Sequence, residues 1–365
     1  MASTPTSAAP DGFSDALKGT YYGLVHLTLA AAAYIDEADL PAITAALKQT
    51  ITAKLPQLPA PGNPNGTIPG SWALDWGPGI DSDNSNLTYL CSYRNPAGVP
   101  LFFAVVIRGT DTSARPLGVL DQLKEDLDAF HQVPWVGALS TLPNPYQRTV
   151  PQVLEGKTAQ GSIDGLKVIL GLNAVNRSTL LDGLQQALAD FPGTPLVVTG
   201  HSLGGCQTQI MATYLSWQVG GLVPAVFPNP FAPPTAGDAA FAATYDSLFP
   251  YGNFWFNTLD LVPHAFGDVS GIKELWGPSG GPGCPDAVKL IVDLLAPLLP
   301  PYSRPSVGVR TLIGSFNPKA VPTDKIETAW EAQLLYQHFP PCYRSLIQGQ
   351  FTPSQVAPFD TDLLN

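Results

Sequence analysis

Charge is what this sequence has least of. Only 13% of its 365 residues are Asp, Glu, Lys or Arg, about half the ~25% of an average globular chain. The basic side is the poorer, 18 against 29, which leaves a net charge of −11. So few Lys and Arg give no electrostatic footprint for nucleic acid or for an anionic membrane surface. Cysteine is held to four: Cys91, Cys206, Cys284 and Cys342. They are too few and too scattered for a disulfide scaffold, and none forms a C-x-x-C zinc or redox pair. Free buried thiols are the simplest reading, with Cys284 and Cys342 the pair to check for a bridge. There is no H-E-x-x-H and no histidine cluster, so neither a metal site nor a cofactor is expected. The apolar stretch 21–35 contains His26 and is too short for a membrane span. Residues 1–15 carry no basic segment ahead of an apolar core, so no export signal is read there.

What the chain does have is apolar and stiff. Hydrophobic residues make up 45%, and prolines number 38, about twice the ordinary ~5%. That is ample material for a large core and excludes a disordered chain. The prolines imply many rigid loops, and a surface poor in Lys and Glu fits an extracellular setting better than a cytoplasmic one. The length exceeds the usual ~100–150 residues of a domain but suits one large α/β domain with insertions. Residues 1–16 read as a flexible tail and residues 17–365 as a single domain.

Apolar residues recur at helical spacing within 21–57, with Leu24, Leu27, Ala31, Tyr34 and Ile35 in the first helix and a second over 40–54. Residues 56–84, rich in Pro, Gly, Asn and Asp, read as loop. Residues 87–93 and 100–108 read as strands joined by the turn Arg94-Asn95-Pro96-Ala97-Gly98. Next come an amphipathic helix over 117–130, a helix over 178–190 capped by Ser178, a strand over 195–199 and a helix over 204–218. Residues 225–227 and 254–259 supply further strands, and 324–336 another helix. Strands alternating with helices imply a mostly parallel sheet covered on both faces.

The sharpest local signal is Val197-Val198-Thr199-Gly200-His201-Ser202-Leu203-Gly204-Gly205. It fits G-x-S-x-G, placed after an apolar strand and opening a helix. A strand-to-helix turn this tight has no room for side chains two before and two after the serine. It lifts the hydroxyl out of the sheet edge, and the helix behind it aims N–H groups at developing negative charge. Ser202 is therefore the candidate nucleophile, and the N–H of Leu203 a donor to the oxyanion. A serine hydroxyl is a weak nucleophile and needs a base, oriented by a third group.

In α/β-hydrolases, which are built on this turn, the chain order is Ser, acid, His. Asp260, ending the strand 254–259, is the candidate acid, because open sheets place functional groups at the carboxyl ends of strands. Of the five histidines, His26 reads as packed in an early helix, and His131 precedes the serine. His201 stands within the turn and points away from Ser202. His264, four residues after Asp260, shares its loop and is read as a substrate-contacting residue at the mouth. That leaves His338 as the base.

These residues resemble the class 3 lipases, the fungal-type triacylglycerol lipases of the α/β-hydrolase superfamily. Residues 200–205 match that family's nucleophile turn position for position. Val105-Val106-Ile107-Arg108-Gly109-Thr110-Asp111 is similar to its oxyanion strand and loop, and 123–128 to the acidic helix beyond. Residues 227–241 are similar to the next strand and loop, 257–263 to the strand carrying the acid, and His338 with Tyr343 to the final histidine segment. The resemblance runs in patches over residues 20–345. It implies an α/β-hydrolase fold, a mostly parallel sheet flanked by helices, with Thr110 as a second oxyanion donor. In place of the family's Val-His-x-Gly-Phe segment stands Trp135-Val136-Gly137-Ala138-Leu139, so no role is transferred there. Residues 264–321, between acid and histidine, exceed what the fold needs. Within them 286–299 is almost wholly apolar apart from Asp286, Lys289 and Asp293, either buried core or a cover over a greasy site.

The expected activity is hydrolysis of acyl esters, lipid-like ones first, through an acyl-enzyme on Ser202. The substrate would be met at a lipid–water interface, without stable membrane insertion. An acyltransferase, or an esterase for short or phenolic esters, uses the same triad; pocket shape and water access separate these. A hydrolase-like binding protein without catalysis is the reading of another class. Three triad residue types in the required order speak against it.

Overall fold

The structure, a computed structural model, describes residues 19–35, 37, 39–61, 63–81, 85–109, 128–151, 154–277, 280–317, 320 and 328–351. The tail read at 1–16, most of the helix read at 117–130, the start of the one read at 324–336, and Thr110 lie outside the described residues.

Seven strands form the main sheet, and their order across it is their order along the chain. They are β1 Ser71–Ile80, β2 Leu87–Arg94, β3 Pro100–Ile107, β4 Leu196–His201, β5 Val226–Phe231, β6 Phe254–Asn257 and β7 Val309–Leu312. β1, β2 and β3 make an antiparallel meander, and from β3 to β7 every pairing is parallel. Parallel neighbours need crossovers. Ahead of the sheet lie α1 (Thr20–Ala32) and α2 (Leu40–Gln49). α3 (Gln160–Gly171) and α4 (Leu180–Asp190) join β3 to β4, and α5 (Leu203–Val219) joins β4 to β5. α6 (Ala239–Leu248) joins β5 to β6, and α7 (Asp286–Leu295) lies between β6 and β7. α8 (Ala329–His338) and α9 (Pro340–Gln348) follow.

The sheet separates two cores, and β3 shows why. Every residue of Pro-Leu-Phe-Phe-Ala-Val-Val-Ile is buried. Phe103, Val105 and Ile107 pack with α3, α4 and α5, while Phe102, Ala104 and Val106 pack with α1 and α9. A strand covered on both faces needs a continuous apolar run, which is how this one reads in sequence. α1 lies between the sheet and α9, so it too is apolar on every side. His26 sits fully buried within it.

Several sequence expectations need correction. The stretch read as loop over 56–84 contains β1 and a small hairpin, Pro59–Ala60 with Asn63–Thr67. Asp75, Gly77, Pro78 and Gly79 disguise β1, but at a sheet edge one side of the strand needs no partner, so proline and glycine are tolerated. The other edge, β7, comes from within 264–321, and the strand read at 225–227 continues to Phe231. The cap of α4 is Thr179, in a reciprocal box with Asp182, rather than Ser178; Ser178 Oγ instead accepts from Trp76 Nε1 at 3.0 Å. All four cysteines are free and buried. Cys284 packs in the cluster that takes in Val288 and Val292 of α7, whereas Cys342 lies in α9 with its Sγ 3.7 Å from Asn257 Nδ2, so the bridge between them is not formed.

Burial pushes the His26 imidazole from its ordinary 6.5 down to about 4. The unfolded chain therefore takes up this proton first, and stability falls as pH drops from about 6.5 to about 4. The loss is on the order of 3 kcal/mol. Urea unfolding at pH 7 and at pH 4 should show it in the parent chain and a markedly smaller loss in His26→Met. Equal losses in both would exclude His26 as the source.

Candidate active site

The site forms where the carboxyl ends of β3, β4 and β6 meet the end of α8. Ser202 occupies the turn from β4 to α5 with φ 61° and ψ −127°, a left-handed conformation that strains any residue with a Cβ. Its surroundings hold it there: its N–H donates to Phe231 O at 2.9 Å, and its carbonyl accepts from Cys206 N at 3.0 Å. The steric demand inferred from the motif is physical. A Cβ on Gly200 would meet the Ile107 carbonyl oxygen at 2.6 Å, and one on Gly204 would strike that same oxygen and Arg108. The turn is thus wedged against the end of β3. Gly109 comes so close that a Cβ there would collide with His201 O and lie 3.1 Å from the Ser202 Cβ. β3 therefore ends directly against Ser202. Leu203 is the first residue of α5, where N–H groups have no intrahelical acceptor.

Three of the residues picked from sequence come together. His338 Nε2 lies 2.8 Å from Ser202 Oγ, and His338 Nδ1 lies 3.1 and 3.0 Å from the two oxygens of Asp260. All three are buried. β6 stops at Asn257, so Asp260 stands three residues beyond the strand rather than at its end. Its loop is pinned by Asn257, whose Oδ1 accepts from Leu259 N at 3.0 Å and whose Nδ2 donates to Gln337 O at 3.0 Å. That second bond ties the acid's loop to the residue preceding His338. His338 itself is the last residue of α8, not a residue after it.

The carboxylate has further donors. Val262 N–H reaches Asp260 Oδ1 at 3.0 Å, and Tyr343 Oη reaches Oδ2 at 2.7 Å. Burial, and then the charge of Asp260, hold the Tyr343 phenol far above its ordinary 10, so it stays a donor. The same oxygen accepts from Asn257 N at 3.0 Å.

His201 does not contact the serine hydroxyl, but it has a place in the site that the sequence reading missed. Its Nε2 donates to the backbone carbonyl of His338 at 2.7 Å, and its Nδ1 lies 3.4 Å from Tyr34 Oη. The two imidazoles lie 4.7 Å apart. Burial, reinforced by His338, holds the His201 pKa well below 6.5; the ring is neutral, with its proton on Nε2. The signal for this was a histidine inside the turn motif, where pointing away from the serine means pointing toward α8.

His264 stands apart from this group. It closes the short turn Val262–His264, partly buried, with Nδ1 2.9 Å from Asp268 Oδ2. Among the described residues no hydrogen bond joins it to Ser202, Asp260 or His338. Likewise, no group of three or more His, Cys, Asp or Glu is placed to hold a metal ion.

Residues 104–270 match the family described as Lipase (class 3). Among solved structures, the fold matches M37 lipase with a TM-score of 0.67 and 20% identity, over 95% of this chain and 99% of that one. Lip2 lipase from Yarrowia lipolytica matches with a TM-score of 0.43 and 17% identity, over 70% of this chain and 75% of that one. A triacylglycerol lipase from Penicillium expansum gives 0.41 and 15%, over 72% and 75%. No curated protein matches the sequence.

Tyr343→Phe removes one donor from the buried carboxylate and leaves the Asn257 N–H without its acceptor. Hydrogen bonds to charged groups contribute roughly 1.5–3 kcal/mol. Turnover of p-nitrophenyl butyrate should fall by roughly tenfold or more, with KM little changed and a lower melting temperature. A variant that melts lower yet turns over at the parent rate would show Tyr343 to be scaffold only.

Proposed function

We propose, from the match of residues 104–270 to the class 3 lipases and from the geometry of the site, that the chain is a carboxylic ester hydrolase that cleaves lipid-like acyl esters through Ser202, His338 and Asp260. The observation that carries this reading is the unbroken line of hydrogen bonds from Ser202 Oγ through His338 to Asp260. As Ser202 Oγ attacks the acyl carbon, its proton passes to His338 Nε2. Asp260 holds the Nδ1–H tautomer and stabilises the imidazolium that forms. The new oxyanion is met by the Leu203 N–H at the head of α5 and, as the resemblance implies, by Thr110. When the tetrahedral species collapses, the bond to the alcohol oxygen breaks and His338 returns the proton to that leaving group. Water, deprotonated by His338, then attacks the acyl-enzyme, releasing the acid and restoring Ser202. His201 keeps the backbone of the base in register, and His264 lines the mouth.

Ser202 is only 4% exposed, and the match of residues 104–270 to the class 3 lipases supports a lipid-like substrate.

Ser202→Ala should lower ester hydrolysis by several powers of ten with the fold intact, and a fluorophosphonate probe should label Ser202 in the parent chain alone. His338→Ala should be as damaging, and His264→Ala mild. A lethal His264→Ala would transfer the role of base to the other histidine. Across p-nitrophenyl esters of increasing chain length, kcat/KM should rise toward the longer acyl chains. A maximum at acetate would replace the lipid-like substrate by a short one.

A further inference from the structure

Resting on the reading of the chain as a hydrolase of lipid-like esters, we propose that the outer face of α7 is a fixed platform that docks the enzyme on an uncharged lipid surface. The helix has two apolar faces. Val288 and Val292 are buried against a cluster containing Leu259, Leu261, Trp276 and Trp330. On the opposite side Leu290, Ile291 and Leu294 are 60%, 44% and 61% exposed, and Leu298 of the next turn is 66% exposed. Their spacing sets them in one stripe along the helix. Of the ten large hydrophobic residues exposed among the described ones, four lie on this stripe, so it is a patch and not scatter.

The helix is anchored toward and just beyond its carboxyl end. Lys273 Nζ pairs with Asp293 at 2.6 Å. Just past the stripe, Tyr302 Oη donates to Ala129 O at 2.8 Å, Gln132 Nε2 to Pro301 O at 3.0 Å and Ser303 N to Gly237 O at 2.9 Å. A closed lid hides its apolar face; here the inner face is already packed, and the outer one meets water in the resting state. The anchor also fixes where the stripe stands. Leu259 and Leu261 flank Asp260, so α7 rests on the loop that carries the acid, at the end of the sheet where Ser202 and His338 meet.

Size and charge select the occupant. Four side chains on one helix fall far short of the roughly 20–30 residues a side of a stable protein interface, which disfavours a second copy. The chain carries −11, and both lysines at the helix are neutralised, Lys273 by Asp293 and Lys289 by Asp286. Among the described residues an anionic surface therefore finds no unpaired lysine at the helix, and an uncharged apolar phase fits the stripe.

The test separates docking from chemistry. The Ser202→Ala chain, which leaves the surface unconsumed, is floated with triolein droplets coated in phosphatidylcholine, with and without Leu290→Asp and Leu294→Asp. The parent surface should partition onto the droplets at low and high salt alike, and the two substitutions should weaken this by roughly tenfold per leucine. In the Ser202 chain the same substitutions should leave the melting temperature and the rate on soluble p-nitrophenyl butyrate unchanged. A chain inert toward that soluble ester would sink the hydrolase reading, while flotation would still score the docking. Equal partitioning of both surfaces overturns the platform. So does salt-sensitive binding confined to phosphatidylserine vesicles, or a dimer in gel filtration that the substitutions break. As a second readout, Leu294→Cys carrying acrylodan should shift to the blue on the droplets, the native thiols being buried; an unshifted spectrum excludes contact.

Discussion

A single buried carboxylate organises the carboxyl half of this protein. Asp260 is fully buried, and an ionised carboxylate without water is tolerable only when charge and hydrogen bonds surround it. Its partners come from three places: Val262 in its own loop, His338 at the end of α8 and Tyr343 in α9. Satisfying it therefore draws α8 and α9 toward the loop that follows β6, and that same requirement delivers an imidazole to Ser202. The bond that stabilises the chain's end and the bond that builds the site are one.

Around this point the polar groups are arranged in layers. Asn257 closes the acid's loop and ties it to Gln337. His201, kept neutral by burial, holds the carbonyl of His338. Both limit how far the His338 ring can drift from Ser202, and at such a spacing a displacement of an ångström matters. Ser202 is fixed differently, by contact. Gly109, Gly200 and Gly204 let backbones approach until the end of β3 and the turn interlock, which leaves Ser202 in its strained conformation with nowhere to relax.

The outer parts serve the core in a third way. α7 packs one apolar face onto the loop that bears the acid and offers the other to solvent. Its charges are paired, Asp286 with Lys289 along the helix and Asp293 with Lys273 of the turn before it. A chain with so little charge has weak means of attracting an ionic partner and correspondingly little to repel an apolar one.

By itself the sequence determined what depends on neighbours along the chain. The apolar runs of β2, β3 and β4 announce strands covered on both faces, and the glycines about Ser202 announce a turn whose steric needs are local. Chain order then selected Asp260 and His338. Tertiary structure decided what depends on the path of the chain. Edge strands β1 and β7 were illegible because an edge makes weak demands on composition: β1 keeps aspartate, glycine and proline, and β7 is four residues long with Arg310 and Thr311 at its centre. The place of His201 beneath the base, the phenol of Tyr343 on the carboxylate and the two faces of α7 depend on contacts between segments far apart in sequence. His338 is 136 residues from Ser202 and 78 from Asp260. No local pattern encodes such a meeting, because it is fixed by which surfaces remain to be buried once the sheet has formed.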